Sequence, residues 1–479
     1  MDNSAVSAPH IVVVGGGISG LAAAHRLLES GARVTVLEAA GRLGGKLLAG
    51  EIAGARVDLG AESMLARRPE GVALAREVGL GDRLTPPAAT AAIWTRGVLR
   101  PMPRNHLMGV PADPASLTGI VSAEGLARIA QDHELPSTEV GEDIGVGEFV
   151  ARRVGREVVD RLVEPLLGGV YAGDAYRLSM RAAVPQLYAL ARENGSLLDG
   201  VARVQAKAAA GPRDGSPVFM GLDGGMGTLP LAVADAVRAG GGLIRTGTPV
   251  RALTRTAAGW LVRTDSPEAP AIEADGVVLA SPAGPASALL AAESPSAAAE
   301  LATVEYASMA LVTMAFRRAD LEHLQRRSGF LVPSVDGRTI KASTFSSYKW
   351  QWVTDRAPDL FVLRTSIGRY GEEEHLERDD ADLVAMSLGD LGEAVGLAAK
   401  PVASEVTRWT GGLPQYPVGH LARVARVRDA VAKLPGLRIC GAAYDGVGIP
   451  ACVAGARRAA DEIIATSTLA QNTQRDAGQ

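Results

Sequence analysis

Three glycines at fixed spacing form the stretch of the chain best suited to ligand chemistry. Gly15-x-Gly17-x-x-Gly20 directly follows the apolar run 11–14, and the acidic residue Glu38 comes about twenty residues later. The first glycine allows a tight turn, the second lets backbone approach a pyrophosphate, and the third lets a helix and a strand pack closely. The Glu38 carboxylate can accept hydrogen bonds from ribose hydroxyls and repels a 2′-phosphate. The pattern predicts a bound dinucleotide and disfavours an NADP-type ligand.

The elements around these glycines are predicted from the periodicity of apolar residues. Residues 11–14 form a continuous β-branched run, which is typical of a strand buried on both faces. Leucines and alanines then recur at helical spacing, and Gly31 stands where a left-handed helix terminus is expected. A second strand over 33–37 completes a βαβ unit. This context of strand, helix and acid makes the glycine motif far more specific than it is alone.

Composition and charge exclude several classes of function. A length of 479 residues predicts about two to four domains. The net charge of −4 and the lack of a basic stripe interleaved with aromatics argue against nucleic acid as a partner. The seven histidines are scattered without metal-ligand spacing, so we assign no metal ligand. Two cysteines, Cys440 and Cys452, indicate a reducing cytoplasm.

The ends and the hydropathy pattern bear on localisation. The first nine residues are short and polar before the glycine motif begins, which leaves no room for a cleaved signal peptide. No run of about twenty apolar residues occurs, so we expect no transmembrane helix. We therefore predict a cytoplasmic protein.

Residues 115–210 have a predominantly helical pattern. Within 154–167 the apolar positions make one face, and charged residues, including Arg153 beside it, lie elsewhere. A membrane-surface helix is one interpretation, but the mixed charge favours a helix packed on the protein's own core. The following segment, 167–174, is rich in small residues that permit close backbone approach to something flat.

The rest of the chain alternates strands with a few helices. Strands are expected at 243–245, 250–254, 260–264, 276–280, 309–316 and 360–365, with a helix over about 380–395. A buried strand at 437–441 precedes a glycine-rich turn and a helix that runs through residue 464, with Pro450 in its first turn. A second helix N-terminus is thereby aimed at an anion or an electron-rich carbonyl.

The continuation of the glycine motif decides which dinucleotide is expected. Arg42-Leu-Gly44-Gly45-Lys46 resembles the R-x-G-G-[RK] extension of large two-domain flavoproteins of the amine oxidase type, and the resemblance also covers Asp58-Leu-Gly60. The chain contains no second strand-GxGxxG-helix unit that could hold NAD(P)H. The resemblance implies FAD as cofactor, with the organic substrate itself as the reductant.

Five further motifs make the resemblance more specific. Together they resemble the porphyrinogen oxidases, above all the branch of Gram-positive bacteria that oxidises coproporphyrinogen III. The motifs are Gly60-Ala-Glu-Ser-Met-Leu, Arg100-Pro-Met-Pro-Arg with Met108-Gly-Val-Pro, Glu164-Pro-Leu-Leu-Gly-Gly-Val-Tyr-Ala-Gly-Asp, Leu413-Pro-Gln-Tyr-Pro-Val-Gly-His and Gly446-Val-Gly-Ile-Pro-Ala-Cys.

This resemblance implies an α/β fold with an α+β substrate domain. A Rossmann-type FAD-binding domain would comprise residues 1–90, 217–285 and 405–470. A mixed-sheet substrate-binding domain would comprise 91–105 and 286–404, and a helical domain 106–216.

The implied activity is the six-electron oxidation of coproporphyrinogen III to coproporphyrin III in haem biosynthesis. FAD would be bound non-covalently, and dioxygen would be the acceptor, giving hydrogen peroxide. The resemblance further implies a peripheral contact with the inner face of the cell membrane, as in some family members, and transfer of the product to a ferrochelatase.

The motifs and the resemblance together indicate site residues but no catalytic side chain, because a flavin accepts hydride directly from carbon. The expected cofactor contacts are Gly15, Gly17, Ile18, Ser19, Gly20, Glu38, Ala39, Arg42, Gly44, Gly45, Lys46, Gly60, Ala61, Glu62, Ser63, Val250, Gly441, Gly448, Ile449 and Pro450. The expected substrate contacts are Met64, Arg67, Arg68, Gly168, Gly169, Val170 and Tyr171.

Three alternatives stay open at this point. One is a protoporphyrinogen IX oxidase. Another is an amine oxidase, although such enzymes often carry a lysine where this chain has Leu311, and Gly-Glu where it has Gly441-Ala442. The third is a flavoprotein that merely binds a porphyrin and hands it on.

Overall fold

Two large sheets, one parallel and one mixed, organise the chain. The computed structural model describes residues 8–193, 195–210 and 217–477. Its strands are β1 (His10–Val14), β2 (Arg33–Leu37), β3 (Ala49–Ile52), β4 (Ala55–Asp58), β5 (Met64–Leu65), β6 (Leu84–Thr85), β7 (Ala91–Thr95), β8 (Val98–Pro101), β9 (His106–Leu107), β10 (Val110–Pro111), β11 (Phe219–Leu222), β12 (Leu243–Arg245), β13 (Val250–Arg255), β14 (Trp260–Thr264), β15 (Ala271–Ala274), β16 (Gly276–Leu279), β17 (Tyr306–Arg317), β18 (Gly329–Leu331), β19 (Ile340–Thr344), β20 (Leu360–Ile367), β21 (Ala403–Pro414) and β22 (Leu437–Ile439).

The helices lie between and over these strands. They are α1 (Ile18–Glu29), α2 (Pro69–Glu77), α3 (Ala123–Ala130), α4 (Val146–Val154), α5 (Arg156–Val158), α6 (Glu164–Tyr171), α7 (Met180–Ala183), α8 (Pro185–Arg192), α9 (Leu197–Ala210), α10 (Thr228–Ala239), α11 (Ala283–Leu290), α12 (Pro295–Ala302), α13 (Ser346–Lys349), α14 (Gln351–Arg356), α15 (Asp380–Val395), α16 (His420–Val431) and α17 (Ile449–Ala477).

The parallel sheet has the strand order β12-β2-β1-β16-β22. Its central strand β1 is buried on both faces: Ile11 and Val13 pack with α1, α10 and α17, whereas Val12 and Val14 pack with the opposite layer around Trp260. Such double burial explains the continuous apolar run. The predicted strand, the helix after it and the left-handed Gly31, which has a φ of +84°, are confirmed, as is the α/β fold class.

The mixed sheet has seven strands in the order β21-β17-β20-β19-β18-β7-β8. Neighbouring strands are antiparallel except β18 and β7, which run parallel. One face packs on α15, and the other on Trp350 and Trp352 at α13 and α14. The predicted domain boundary between residues 404 and 405 falls inside β21, so we place it after Pro414. The division into domains otherwise stays a prediction.

The helical region differs from the prediction at two points. A single helix over 154–167 is wrong, because α4 ends at Val154 and Gly155 then has a φ of +95°. A π-helical turn over Val159–Val163 follows α5, and Gly168 and Gly169 lie within α6 rather than in a connection. The apolar spacing persists through these breaks because every segment faces the same core. Within the described residues, no helix combines the length and apolarity needed to cross a membrane.

The second point of difference is Arg153. The sequence pattern predicted that this charged residue lies off the apolar face, but the structure buries it. Its Nε lies 2.7 Å from Asp132 Oδ1, with relative side-chain exposures of 2% and 0%. The guanidinium also donates to the carbonyl oxygens of Pro136 and Asp132, at 2.7 and 2.8 Å. Asp132 in turn accepts from the Leu198 amide at 3.0 Å. This network joins α4 to the start of α9.

We expect Arg153→Leu to lower the free energy of unfolding by about 3–5 kcal/mol, because it leaves the Asp132 carboxylate buried without its cation. Urea denaturation followed by circular dichroism measures the change. The neighbouring Arg152 is exposed, and its ion pair is with Glu148 one turn away, so Arg152→Leu is the matched control, with a change of at most about 0.5 kcal/mol. Equal losses in the two variants would contradict this account of Arg153.

Candidate active site

Several of the predicted cofactor residues lie at one edge of the parallel sheet. Strands β1, β2, β16 and β22 are parallel neighbours, so the loops after all of them leave the same edge. These loops carry the phosphate turn, Glu38 and Gly441. In open α/β sheets, ligands bind in the crevice at the carboxyl ends of the strands. The topology therefore places the predicted residues where a dinucleotide is expected.

Glycine stands at the three motif positions for different structural reasons. Gly15 has a φ of +114°, and a Cβ added there would lie 2.9 Å from the Ala280 carbonyl oxygen. A Cβ at Gly20 would collide with the Gly15 carbonyl oxygen, so the strand and α1 pack closely only without it. A Cβ at Gly17 would meet no protein atom within 4 Å. The fold itself thus requires Gly15 and Gly20, whereas the space beside Gly17 is available to a ligand.

Glu38 and the 42–46 segment converge on the phosphate turn. The Glu38 carboxylate accepts from the amides of Gly16 and Ala40, at 2.6 and 2.8 Å. The Gly44 amide donates to the Gly16 carbonyl at 2.9 Å, and Gly44 has a φ of +97°. Near the same edge, the Thr248 amide donates to the Glu38 carbonyl at 2.8 Å, just before Val250 at the start of β13. Glu38 and the Gly44-Gly45 pair therefore both contact or adjoin the phosphate turn.

A second part of the site follows β22. Gly441 has a φ of +131°, and a Cβ there would meet no atom within 4 Å. The hydroxyl of Tyr416 donates to the Ala442 carbonyl oxygen, and the Tyr416 ring lies 5.5 Å from the ring of Tyr171 at the end of α6. The predicted substrate segment is thereby joined to the predicted cofactor loop. Gly448, Ile449 and Pro450 lie at the start of α17.

The residues of 58–63 are held from the mixed sheet. Arg364 on β20 donates to the carbonyl oxygens of Asp58 and Gly60, at 3.1 and 2.7 Å. It also forms an ion pair with Glu62, Nη2 to Oε2, at 3.2 Å, and Lys349 pairs with the other carboxylate oxygen. Glu62 is buried, and both of its carboxylate oxygens are engaged by these two cations.

The two carboxyl groups of this segment have pKa values shifted in opposite directions. Burial raises the pKa of Glu62, but Arg364 and Lys349 outweigh burial and lower the pKa to about 2. Burial raises the pKa of Asp58 to about 6, against the lowering effect of hydrogen bonds from the Gly227 and Met226 amides. Asp58 thereby anchors the glycine-rich turn that begins α10, and a Cβ at Gly225 would lie 2.8 Å from its Oδ1.

The predicted substrate residues are not gathered on one element. The Met64 side chain is buried in the core with α17. Arg67 and Arg68 are exposed between β5 and α2, and Arg68 pairs with Glu70 at 3.2 Å. On α6, Gly168 and Tyr171 are buried and Gly169 and Val170 are exposed. Burial raises the pKa of Tyr171 to about 12, so its hydroxyl stays protonated at neutral pH.

Sequence reasoning missed the residues that hold the site from the mixed sheet. Besides Arg364 and Lys349, the Trp409 indole donates to the Leu59 carbonyl at 3.0 Å. The Tyr306 ring centroid lies 5.9 Å from Lys46 Nζ, and burial lowers the pKa of that lysine. An arginine inside the otherwise apolar strand 360–365 was the one available signal, since a buried strand rarely carries an unpaired charge.

We expect Glu62→Gln to reduce the free energy of unfolding by about 3 kcal/mol at pH 6, because the folded-state pKa lies about two and a half units below the ordinary value of 4.5. The carboxylate stabilises the fold above about pH 4.5 and loses this effect as the pH falls toward 2. The difference from the wild type should therefore shrink between pH 5 and 3 in urea denaturation series. The exposed Glu51 provides the control Glu51→Gln, and a pH-independent difference for Glu62→Gln would contradict the ion-pair account.

Comparison with known proteins assigns the chain to a family. A family model described as flavin containing amine oxidoreductase matches residues 18–464. A coproporphyrinogen III oxidase from Mycobacterium tuberculosis is 38% identical, over 94% of this chain and 96% of the relative. Another from Bacillus subtilis is 31% identical, over 93% and 95%.

The comparison with solved structures agrees. A crystal structure of a protein from Exiguobacterium sp. 255-15, assigned as a protoporphyrinogen oxidase, has a TM-score of 0.83 and 32% identity, over 96% of this chain and 99% of that one. The chain therefore belongs to the flavin-containing amine oxidoreductase family, as a relative of the bacterial coproporphyrinogen III oxidases.

Proposed function

We propose that this protein oxidises coproporphyrinogen III to coproporphyrin III with a non-covalently bound FAD. The observation that carries the proposal is the identity of 38% to a coproporphyrinogen III oxidase along 94% of the chain. The geometry supports it, because a Cβ at Gly17 or at Gly441 would meet no described protein atom within 4 Å. Tyr416 in addition contacts both the loop after β22 and Tyr171 of α6. Protoporphyrinogen IX is the second candidate substrate, since the Exiguobacterium structure is assigned to that activity.

The residues present fit FAD. The Gly17 amide and the N-terminus of α1 would bind the pyrophosphate, and Glu38 would exchange one of its backbone partners for ribose hydroxyls. The loop at Gly441 and the start of α17 would lie beside the flavin ring, where the helix N-terminus favours electron density. When bound, FAD supplies a ring that accepts a hydride from a carbon of the substrate. The remaining predicted cofactor residues lie in these loops, in the segment after β4 or at the start of β13, and stay proposals.

The chain's own residues would bind and orient the substrate and exclude water. Gly168 and Gly169 on α6 would admit the flat macrocycle, with Val170 and Tyr171 beside it. Arg67 and Arg68 would pair with propionates, since a guanidinium can bind a carboxylate through two hydrogen bonds. Met64 is buried beneath them and would support this segment from the core.

Neither cysteine suits a covalent role. Cys440 and Cys452 are buried and form no disulfide, and burial raises the pKa of both thiols. A protonated thiol is a poor nucleophile, so a flavin held without a covalent bond is the consistent proposal. Two free thiols also suit the reducing cytoplasm that we propose as the location.

The acceptor and the partners are proposed from the family resemblance. Dioxygen would take up the electrons and give hydrogen peroxide. A peripheral contact with the inner face of the cell membrane and transfer of the porphyrin to a ferrochelatase would follow from the same resemblance.

We expect purified Gly17→Val to be folded but colourless. The residue has an extended backbone (φ −75°, ψ 177°) and open space around its Cα, so valine fits the protein but occupies the position proposed for phosphate. Absorbance near 450 nm and circular dichroism measure flavin content and fold. Gly389→Val on α15, where a Cβ also meets nothing within 4 Å, should stay yellow. A stoichiometric flavin content in Gly17→Val would overturn the proposed phosphate site.

The substrate is tested by anaerobic reduction of the enzyme-bound flavin with coproporphyrinogen III, protoporphyrinogen IX and simple amines. We expect bleaching that is fastest with coproporphyrinogen III and absent with amines. Oxygen consumption in steady state separates the enzyme from a porphyrin carrier, which would bind without turnover. Bleaching by amines alone would overturn the proposed function.

A further inference from the structure

Two buried cations lie in the seam between α6 and the mixed sheet, away from the parallel-sheet edge. Lys341 on β19 is 6% exposed, and Arg369, two residues after β20, is 8% exposed. Lysine and arginine are almost never fully buried unless they are paired. The partners of these two side chains therefore decide what the seam is suited to bind.

Lys341 stands at an irregularity of β19. Ile340 pairs with Ile367 and Ala342 pairs with Ser366, so Lys341 is the extra residue of a bulge. Bulges re-aim a side chain and are frequent beside functional sites. The Lys341 ammonium donates to the Gly368 carbonyl at 2.6 Å, which is its only hydrogen-bond acceptor among the described residues. An ammonium has three N–H donors, so this buried group can accommodate further acceptors.

Arg369 likewise has an N–H donor without an acceptor among the described residues. One Nη donates to the Val332 carbonyl at 3.0 Å, whereas Nε, 3.5 Å from Glu164 Oε1, makes no hydrogen bond with any residue that the structure describes. Glu164, whose side chain is 14% exposed, is the acid nearest to the Arg369 guanidinium among the described residues, and it accepts from the Ser334 amide at 3.2 Å. The other acid, Glu372, is 57% exposed and 3.7 Å from the guanidinium. Two buried cations thus share one partly buried anion, Glu164.

Burial increases the energetic cost of this excess of positive over negative charge. Burial, together with the charge of Arg369, lowers the pKa of Lys341 to about 7, although Glu164 acts in the opposite direction. Burial also raises the pKa of Glu164. Uncompensated charge in such a seam is costly unless a ligand of opposite sign completes the set.

The seam is continuous with the glycine face of α6. A Cβ at Gly168 would lie 3.5 Å from Glu164 Oε1, and a Cβ at Gly169 would lie 3.8 Å from Leu331 on β18. Leu331 is followed directly by Val332, whose carbonyl accepts from Arg369. The cations therefore adjoin the helix face that is proposed to admit the macrocycle.

We propose that Lys341 and Arg369 form a carboxylate subsite that binds a propionate of the tetrapyrrole. The inference rests on the proposed function and names the part of the substrate that the seam would recognise. Coproporphyrinogen III carries a propionate on each of its four pyrroles, whereas protoporphyrinogen IX carries vinyl groups on two of them. Arg67 and Arg68 are adjacent in the chain, between β5 and α2, so they would serve the same edge of the ring. A second cationic subsite on different elements would therefore favour the substrate with four carboxylates.

Lys341→Met tests the subsite because methionine keeps the length of the side chain and removes its charge. We expect the KM for coproporphyrinogen III to rise about ten- to a hundredfold with little change in kcat, and the KM for protoporphyrinogen IX to change less than about threefold. Lys341→Arg should retain most of the discrimination. The exposed Lys433 provides the matched control Lys433→Met, which should behave as wild type.

Glu164→Gln gives a test of opposite sign. Removal of the competing carboxylate leaves both cations available to the substrate, so the KM for coproporphyrinogen III should fall. A purely structural role for the cluster would instead weaken both variants. Flavin absorbance and circular dichroism establish that each variant is folded and loaded.

Binding of the products supplies a readout that needs no turnover. Fluorescence titration should show that Lys341→Met weakens coproporphyrin III about ten- to a hundredfold and protoporphyrin IX little. Equal losses for both porphyrins, or no loss for either, would overturn the subsite. If the wild-type protein bound both porphyrins but neither porphyrinogen reduced its flavin, the proposed function would fail while the binding selectivity still decided the subsite.

Discussion

The buried Glu62 carboxylate holds together the two halves of the candidate site. It lies in the segment that follows β4, yet its cations come from β20 of the mixed sheet and from α13, which packs on that sheet. Arg364 also bonds the carbonyls of Asp58 and Gly60, so one guanidinium fixes both the backbone and the side chain of this segment. A charge taken out of water must keep its partners. The placement of the proposed cofactor loops relative to the mixed sheet therefore depends on this network.

The network continues on the other side through Asp58. Its carboxylate accepts from the amides of Met226 and Gly227, at 2.8 and 2.9 Å, and so joins the start of α10 to the same segment. Two acids four residues apart thus serve opposite neighbours. Glu62 is stabilised as an anion by cations, whereas burial disfavours the charged form of Asp58. Both hold the segment from which Gly60 and Ala61 face the loop at Lys46.

Buried charges in this protein fall into two groups. Arg153 is satisfied by Asp132 and two carbonyl oxygens, which is the pattern of a structural element in a helical core. Lys341 and Arg369 have fewer partners than donors and lie beside a helix with two adjacent glycines. The two groups differ in how many of their hydrogen-bond donors have partners, not in residue type. This difference is the physical reason to interpret the first as architecture and the second as a ligand site.

The sequence by itself determined the features that depend on neighbouring residues. The strand, glycine turn and helix of the first βαβ unit, the left-handed Gly31, and the helix over 380–395 all follow from local periodicity and backbone sterics, and the structure has them. The motifs around Gly60, Glu164 and Leu413 likewise indicated the family, because each motif is a run of contiguous residues. The sheet edge proposed to bind the cofactor could be predicted in this way, since a parallel sheet brings its strand ends together.

Only the tertiary structure decided which side chains meet across the chain. Glu62 and Lys349 are 287 residues apart, and nothing local in either segment identifies the other. The sequence pattern predicted neither the burial of Arg153 nor the break at Gly155. Helical spacing indicates which face of a segment is apolar, but not whether the helix is continuous. The position of Gly168 and Gly169 inside α6, and of Lys341 at a bulge beneath them, required the register of β19 on β20. Register and ion pairing are non-local, so they become visible only when the sheet is assembled.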